Sequence, residues 1–302
     1  MKGRYIQKEN INLNNKSHCL QLYKQISKKS TDKKEQREDP QQLKEYSACI
    51  YEYLREIEEK NTPDYILLLS IQNEYYQTMR SIIIERLITL HNCYQKRLHQ
   101  ESLHLAINIF DRYASLVKIS VQKIDLIGIT SLFIACKFEE PRPPFISNFL
   151  LLSGNKYTKS ELLKTEYNIL STLNFDILTV TPVTFLNYYL NHCSMDIKIT
   201  WLSQYLLDTC SLDIEFCGFK SSIKAVSVLY LARYIGKVNE VWDNELRFHS
   251  GLKRNDFKKC LRIALKFIEK NKEKLKKRPI YTKYNTSSYG YSAMGLNGMR
   301  MK

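Results

Sequence analysis

The side chains able to do covalent or metal chemistry are present in this sequence, but never in a working arrangement. Six histidines are scattered along 302 residues, and none stands beside a nucleophile in a recognisable motif. No G-x-G-x-x-G turn, phosphate-cradling loop or H-E-x-x-H pair occurs. The eight cysteines (Cys19, Cys49, Cys93, Cys136, Cys193, Cys210, Cys217 and Cys260) never form a C-x-x-C pair, the spacing that zinc and redox centres use. Most lie in apolar stretches, where a free thiol packs as a small hydrophobe. None of these patterns supports a reaction centre, so no metal, no cofactor and no enzymatic activity are expected.

The elements that position the remaining polar side chains are helices. The chain is 44% hydrophobic and 12% aromatic, enough for substantial cores, and only 9 Gly and 7 Pro interrupt it. Its length suits two domains with tails. A helix is expected over 42–59, where Ile50, Tyr53, Leu54 and Ile57 recur at helical spacing, and "NTPDY" at 61–65 ends it. Five helical patterns follow: 73–92, 100–117, 123–138, 145–152 and 158–173. The second presents Leu103, Ala106, Ile107, Phe110, Tyr113 and Val117 on one face. The third, "KIDLIGITSLFIACKF" with Ser120 as a cap, is apolar nearly all round, the mark of a helix at the centre of a bundle. The fifth opens on a capping box, Thr158-x-x-Glu161.

The pattern then restarts at Thr181-Pro182, a cap followed by proline at the first helical position. Helices are expected near 182–193, 198–210, 222–235, 241–250 and 254–274. Among them "SIKAVSVLYLARYIG" at 222–236 mirrors 123–138 in place and character. The fold class is therefore all-α: two tandem five-helix bundles, an N-terminal helix, and flexible tails over 1–40 and 276–302.

A net charge of +15 suggests a nucleic-acid binder until it is located. Residues 1–40 hold ten Lys/Arg against five Asp/Glu, and 262–302 eleven against two, which leaves +1 for everything between. The charge lies at the ends, so nucleic acid is not the expected partner. The opening MKGRYIQKEN carries no apolar run and no segment approaches a membrane span, so neither a secretory leader nor a membrane partner is expected.

Specific strings resemble the cyclins, of the mitotic A/B type, over roughly 42–293. "YEYLRE" at 51–56 resembles the helix before the first cyclin box, and "MRSIIIERL" at 79–87 the opening of that box. "LHLAINIFDRY" at 103–113, "ACKFEEPRPP" at 135–144 and "YTKSELLKTEYNILSTLNFDI" at 157–177 are similar to its later helices and exit strand. "VWDNELRFHSGL" at 241–252 and "YTKYNTSSYGYSA" at 281–293 resemble the second box and its tail.

The resemblance implies a regulatory subunit that binds a cyclin-dependent protein kinase, turns its PSTAIRE-type helix inward and so activates it. It places kinase-backbone contacts at Lys137 and Glu166, a donor-only and an acceptor-only side chain. Lys137 also reads as a cation at a helix C-terminus, and Glu166 as an ordinary exposed helix residue. Phe138, Phe175 and Ile50 map to apolar kinase contacts, with core packing the other reading of each. Arg80 and Asp111 match an internal salt bridge across two helices.

The substrate-docking patch that reads Arg-x-Leu peptides maps to Met79, Ile82, Ile83 and Arg86. Here Arg86 stands where the family has a tryptophan, Thr89 replaces a glutamate and Asp125 a glutamine. The indole wall for the peptide's leucine is missing, while Asp125 offers a carboxylate for its arginine. "KEN" at Lys8, Glu9 and Asn10 resembles a degron read by the anaphase-promoting complex, or is coincidence in a chain rich in these residues. "KLKKRP" at 274–279 reads as a solvated helix end or an import signal, and the expected location is nucleus and cytoplasm. The rival reading is a transcription-factor-like scaffold that uses two cyclin boxes to bind DNA; the near-neutral middle weighs against it.

Overall fold

A computed structural model describes residues 46–94, 98–193, 195–290 and 292–293. Lys8, Glu9 and Asn10 lie outside them, as does the whole of the expected N-terminal tail. The chain divides into two units, residues 1–56 and 57–302, and each stands by itself. Of the first, the described part is the helix α1 (Ser47–Glu58) as far as Glu56, which carries Ile50.

The second unit holds thirteen helices among the described residues, and no strand. Its first half contains α2 (Tyr65–Ile71), α3 (Tyr76–Cys93), α4 (Gln100–Ala114), α5 (Val121–Glu139), α6 (Ile146–Leu152) and α7 (Lys159–Thr172). Its second half contains α8 (Pro182–His192), α9 (Ile197–Cys210), α10 (Ile214–Cys217), α11 (Ser221–Ile235), α12 (Asn244–Ser250), α13 (Arg254–Leu275) and α14 (Pro279–Tyr284).

The all-round apolar helix α5 is the axis of the first half, with its residues from Leu126 to Cys136 all buried and packed by α3, α4 and α7. Gly128 permits the closest of these approaches, since a Cβ there would sit 2.5 Å from Ile83 Cγ2 on α3. In the second half α11 has the same part, packed by α8, α9 and α13. Thr158 and Glu161 form the expected capping box, and the Thr181 hydroxyl accepts from the amides of Val183 and Thr184. Ser120 stands at the N-cap of α5 but makes no side-chain cap bond.

The sequence reading requires three corrections. The apolar run before α3 is a separate helix, α2, started by the Asp64 carboxylate accepting from Leu67 N. The expected exit strand after α7 is absent; Asn174 and Phe175 instead take left-handed φ of 52° and 57°. The described part of the expected C-terminal tail is folded, with α14 and a 3-10 turn at Ser287–Tyr289. That segment is held by Asp208 on α9, which accepts from Lys283 Nζ (2.9 Å), Tyr284 Oη (2.8 Å), Gln100 Nε2 (2.7 Å) and His104 Nε2 (3.0 Å). Asp208 and Tyr284 are fully buried. Burial alone would raise the Asp208 pKa, but the Lys283 charge and the His104 hydrogen bond hold it well below the usual carboxylate range.

The halves are also joined by Arg80. Its guanidinium grips Asp111 at both ends (Nε–Oδ1 and Nη2–Oδ2, each 2.7 Å) and donates from Nη1 to the carbonyl of Ser211 (3.0 Å) beyond α9. Both side chains are buried, so the fork–fork geometry and the extra carbonyl offset a large desolvation cost. Glu58, the last residue of α1 and part of the second unit, is buried and accepts from the amide and hydroxyl of Ser222 (2.8 Å each), completing the first turn of α11.

Candidate functional site

Lys137 lies in the last turn of α5 and Glu166 in the middle of α7. The packing of those two helices brings the ammonium and the carboxylate into an ion pair. The reason lies in the α7 sequence: Leu162, Glu166 and Ile169 recur at helical spacing and face inward together, so Glu166 is only 7% exposed. It is thus not the ordinary surface residue its sequence allowed. Lys137 stays 43% exposed and also sits 4.7 Å over the Phe133 ring. The contact carries charge, yet no donor is directed at Glu166 Oε1 with hydrogen-bond geometry. An ammonium with spare N–H groups and a buried carboxylate oxygen still short of a hydrogen bond therefore stand together.

Exposed apolar side chains adjoin both partners along their helices. Phe138 follows Lys137 and is half exposed, and Leu163 and Tyr167 stand on the outer side of α7. Phe175, 62% exposed, is presented by its own left-handed backbone, a conformation costly for an aromatic residue. Its amide closes the end of α7 by donating to Leu170 O (2.8 Å). Leu163 and Tyr167 were missed from sequence, because core packing is the default for such residues until a neighbour at the same spacing is known to face inward. Ile50 belongs to the other unit.

The patch on α3 is divided. Ile82 is exposed and Met79 half-buried, but Ile83 is 4% exposed and belongs to the core, pressed against Gly128. Two adjacent helical residues cannot share a face, which withdraws Ile83 from an exposed patch. Arg86 is not an open wall either: its Nη1 pairs with Asp125 Oδ1 at 3.0 Å. Asp125 also accepts from Tyr157 Oη (2.9 Å) and has Lys156 within 3.8 Å, so the carboxylate expected to be available is engaged internally. The Thr89 hydroxyl donates to Glu85 O of its own helix. Arg80 and Asp111 are buried and offer nothing to a partner.

Among the described residues no group of three or more His, Cys, Asp or Glu could hold a metal ion, and no helix is long and apolar enough to cross a membrane. Cys136, Cys193, Cys210, Cys217 and Cys260 are buried, and burial pushes the thiols of Cys136, Cys193, Cys217 and Cys260 up to about 12.

Comparison with known proteins matches both halves. The family profile described as "Cyclin, N-terminal domain" matches residues 49–178, and that described as "Cyclin, C-terminal domain" matches 180–295. A protein of Daucus carota named G2/mitotic-specific cyclin C13-1 is 33% identical over 231 residues, which cover 74% of this chain and 67% of that protein. Putative cyclin-A3-1 of Arabidopsis thaliana is 32% identical over 230 residues, covering 74% of this chain and 64% of its own length. The chain thus spans about two thirds of these curated relatives. The X-ray structure of a viral cyclin from herpesvirus saimiri superposes with a TM-score of 0.65 at 20% identity, over 73% of this chain and 96% of that one. That likeness is one of fold.

Proposed function

Since the chain belongs to the cyclin family, we propose that it is a non-catalytic subunit that binds and activates a cyclin-dependent serine/threonine kinase in cell-cycle control. The observation that carries the reading is the Lys137–Glu166 ion pair, its lysine 43% exposed and its neighbours Phe138, Leu163 and Tyr167 exposed and apolar. Such a surface suits a partner helix that offers an apolar face and leaves backbone groups at its end unpaired. Lys137 would donate to a carbonyl there and Glu166 accept from an amide, with Phe138 and Phe175 supplying apolar area; Ile50, exposed on α1 in the other unit, is carried as a separate apolar contact for the kinase. On this reading the docked kinase helix of PSTAIRE type is turned so that its glutamate reaches the ATP-positioning lysine. The test adds the full chain to a panel of inactive cyclin-dependent kinases and follows peptide phosphorylation. At least one kinase is expected to bind and gain activity; no binding by any member would overturn the reading.

The substrate-docking patch belongs to the proposal in altered form. With Ile83 in the core and Arg86 paired to Asp125, an Arg-x-Leu peptide finds neither a wall for its leucine nor a free carboxylate for its arginine. Fluorescence titration is expected to give binding weaker than micromolar. Arg86→Trp should tighten it, since the change both restores an aromatic wall and frees Asp125. Tight binding by the unaltered chain would sink the idea. Turnover through the anaphase-promoting complex at Lys8–Asn10 and residence in nucleus and cytoplasm are carried as parts of the same proposal.

A further inference from the structure

The basic C-terminal charge does not all belong to the segment 276–302. Much of it stands on α13, a folded helix of 22 residues whose Phe257, Cys260, Leu261, Ala264 and Ile268 are buried. Lys258, Arg262, Lys266, Lys270 and Lys274 recur every four residues and are all exposed, as is Lys259. At ~100° per residue the five fan over about 160° of the helix, centred opposite the buried row. Each step rises about 6 Å, so the ridge is roughly 24 Å long.

Two ordinary explanations account for only part of it. Cations in the last turns complement the helix dipole, which covers Lys272 and Lys274 but not Lys258, Lys259, Arg262 and Lys266 in the first half. Solvated faces generally mix both signs, and the C-terminal half does so through Glu269 and Glu273, the latter paired with Lys276 at 2.9 Å. Between Phe257 and Ile268, however, the four charged residues are all positive. None of the four is in an ion pair among the described residues, and the Lys266 charge acts on the Asp213 carboxyl without pairing with it. Like charges at four-residue spacing weaken a helix, so this face holds a repulsion that a polyanion would relieve.

We propose that the outward face of α13, centred on Lys258, Lys259, Arg262 and Lys266, docks an unfolded acidic peptide segment. Five of the six ridge cations are lysines, point charges on flexible stems that suit a mobile carboxylate-rich chain better than bidentate phosphate reading. No exposed aromatic side chain interleaves with them to stack a base, and Asn255 is the only amide on the exposed first half, so base readout has no apparatus here. That the segment belongs to the kinase's protein substrates rests on the activating role proposed above; the docking itself does not.

The test uses the full chain and a fluorescein-labelled poly-glutamate peptide. Binding is expected at low salt, declining toward the roughly 0.15 M salt at which the screening length is about 8 Å. Replacing Lys258, Lys259, Arg262 and Lys266 together by Gln should weaken it about tenfold or more, with the circular dichroism spectrum unchanged. The single change Lys270→Gln, beside the glutamates, should do far less. Unaltered affinity in the quadruple variant, or tighter binding of a duplex DNA of matched charge to the same four residues, would overturn the proposal. In a kinase assay the quadruple variant should activate normally toward a neutral short peptide and raise KM only for a substrate bearing an acidic tail. Loss of activation toward both substrates refutes the docking assignment, whereas a wild-type chain that binds poly-glutamate but activates no kinase removes only the substrate assignment.

Discussion

Replacing Lys137 or Glu166 by alanine is expected to weaken kinase binding about thirtyfold or more. Truncating one partner of a buried charged contact costs about 2–5 kcal/mol, and about 1.4 kcal/mol corresponds to a factor of ten. The two changes differ in what they do to the free protein. Glu166→Ala leaves behind an ammonium already 43% exposed, whereas Lys137→Ala leaves a carboxylate only 7% exposed without its cation. The lysine change should therefore cost about 1–3 kcal/mol of stability, which a domain holding roughly 5–15 kcal/mol survives. Because the partners touch, the double variant should be worse than either single one but less than additive. Titration with the purified kinase, alongside circular dichroism, checks this. Variants that remain folded and activate normally would move the kinase contact elsewhere; an unfolded Glu166 variant would make that residue structural.

Asp208→Ala should produce the largest loss of stability. It would strand Lys283, itself only 6% exposed, and free α14 from α9. Breaking a buried pair in this way costs about 3–5 kcal/mol, which lowers the melting temperature by roughly 5–15 °C. The same network sets an acid limit in two stages. Burial, with the Lys283 charge next, lowers the His91 pKa to about 4, so below its unfolded value of roughly 6.5 the unfolded chain binds the proton first and stability falls. Asp208 has a depressed folded pKa. Its contribution is whole above the unfolded value of about 3.9 and is lost as the pH falls below that. Thermal melts from neutral pH downward should show both stages, and Asp208→Asn should remove the lower one. A variant that melts within a degree or so of the parent would show that the segment is not held by this carboxylate.

The helical order of both halves, the caps at Thr158 and Thr181, and the Arg80–Asp111 salt bridge could all be read from the chain. These are signals of local spacing or of strings long enough to align. What escaped the sequence depends on contacts between distant segments. The helix α2 reads as a short apolar run, ambiguous between strand and helix without its neighbours. The segment around α14 has little periodicity and is ordered by a carboxylate 75 residues away. The burial of Ile83 is set by Gly128 on another helix, and that of Glu166 by the approach of α5. The helix α13 is expected from sequence over 254–274, but counting its charge with that of the chain end hides that its lysines line one exposed face.

Arg80 has a consequence for motion. Its guanidinium is spent on Asp111 in the first half and on the carbonyl of Ser211 in the second, in a dry contact. Sliding the halves past each other would leave a charge without partners or solvent, so a hinge at this joint is opposed by several kcal/mol, on the order of the cost of an unpaired buried ion. The surface bearing Lys137 and Glu166 is thus carried on a frame that keeps its shape when loaded. On the function proposed above, the deformation in an encounter with a softer enzyme would fall on that enzyme, with the chain as the mould and the kinase pressed into form.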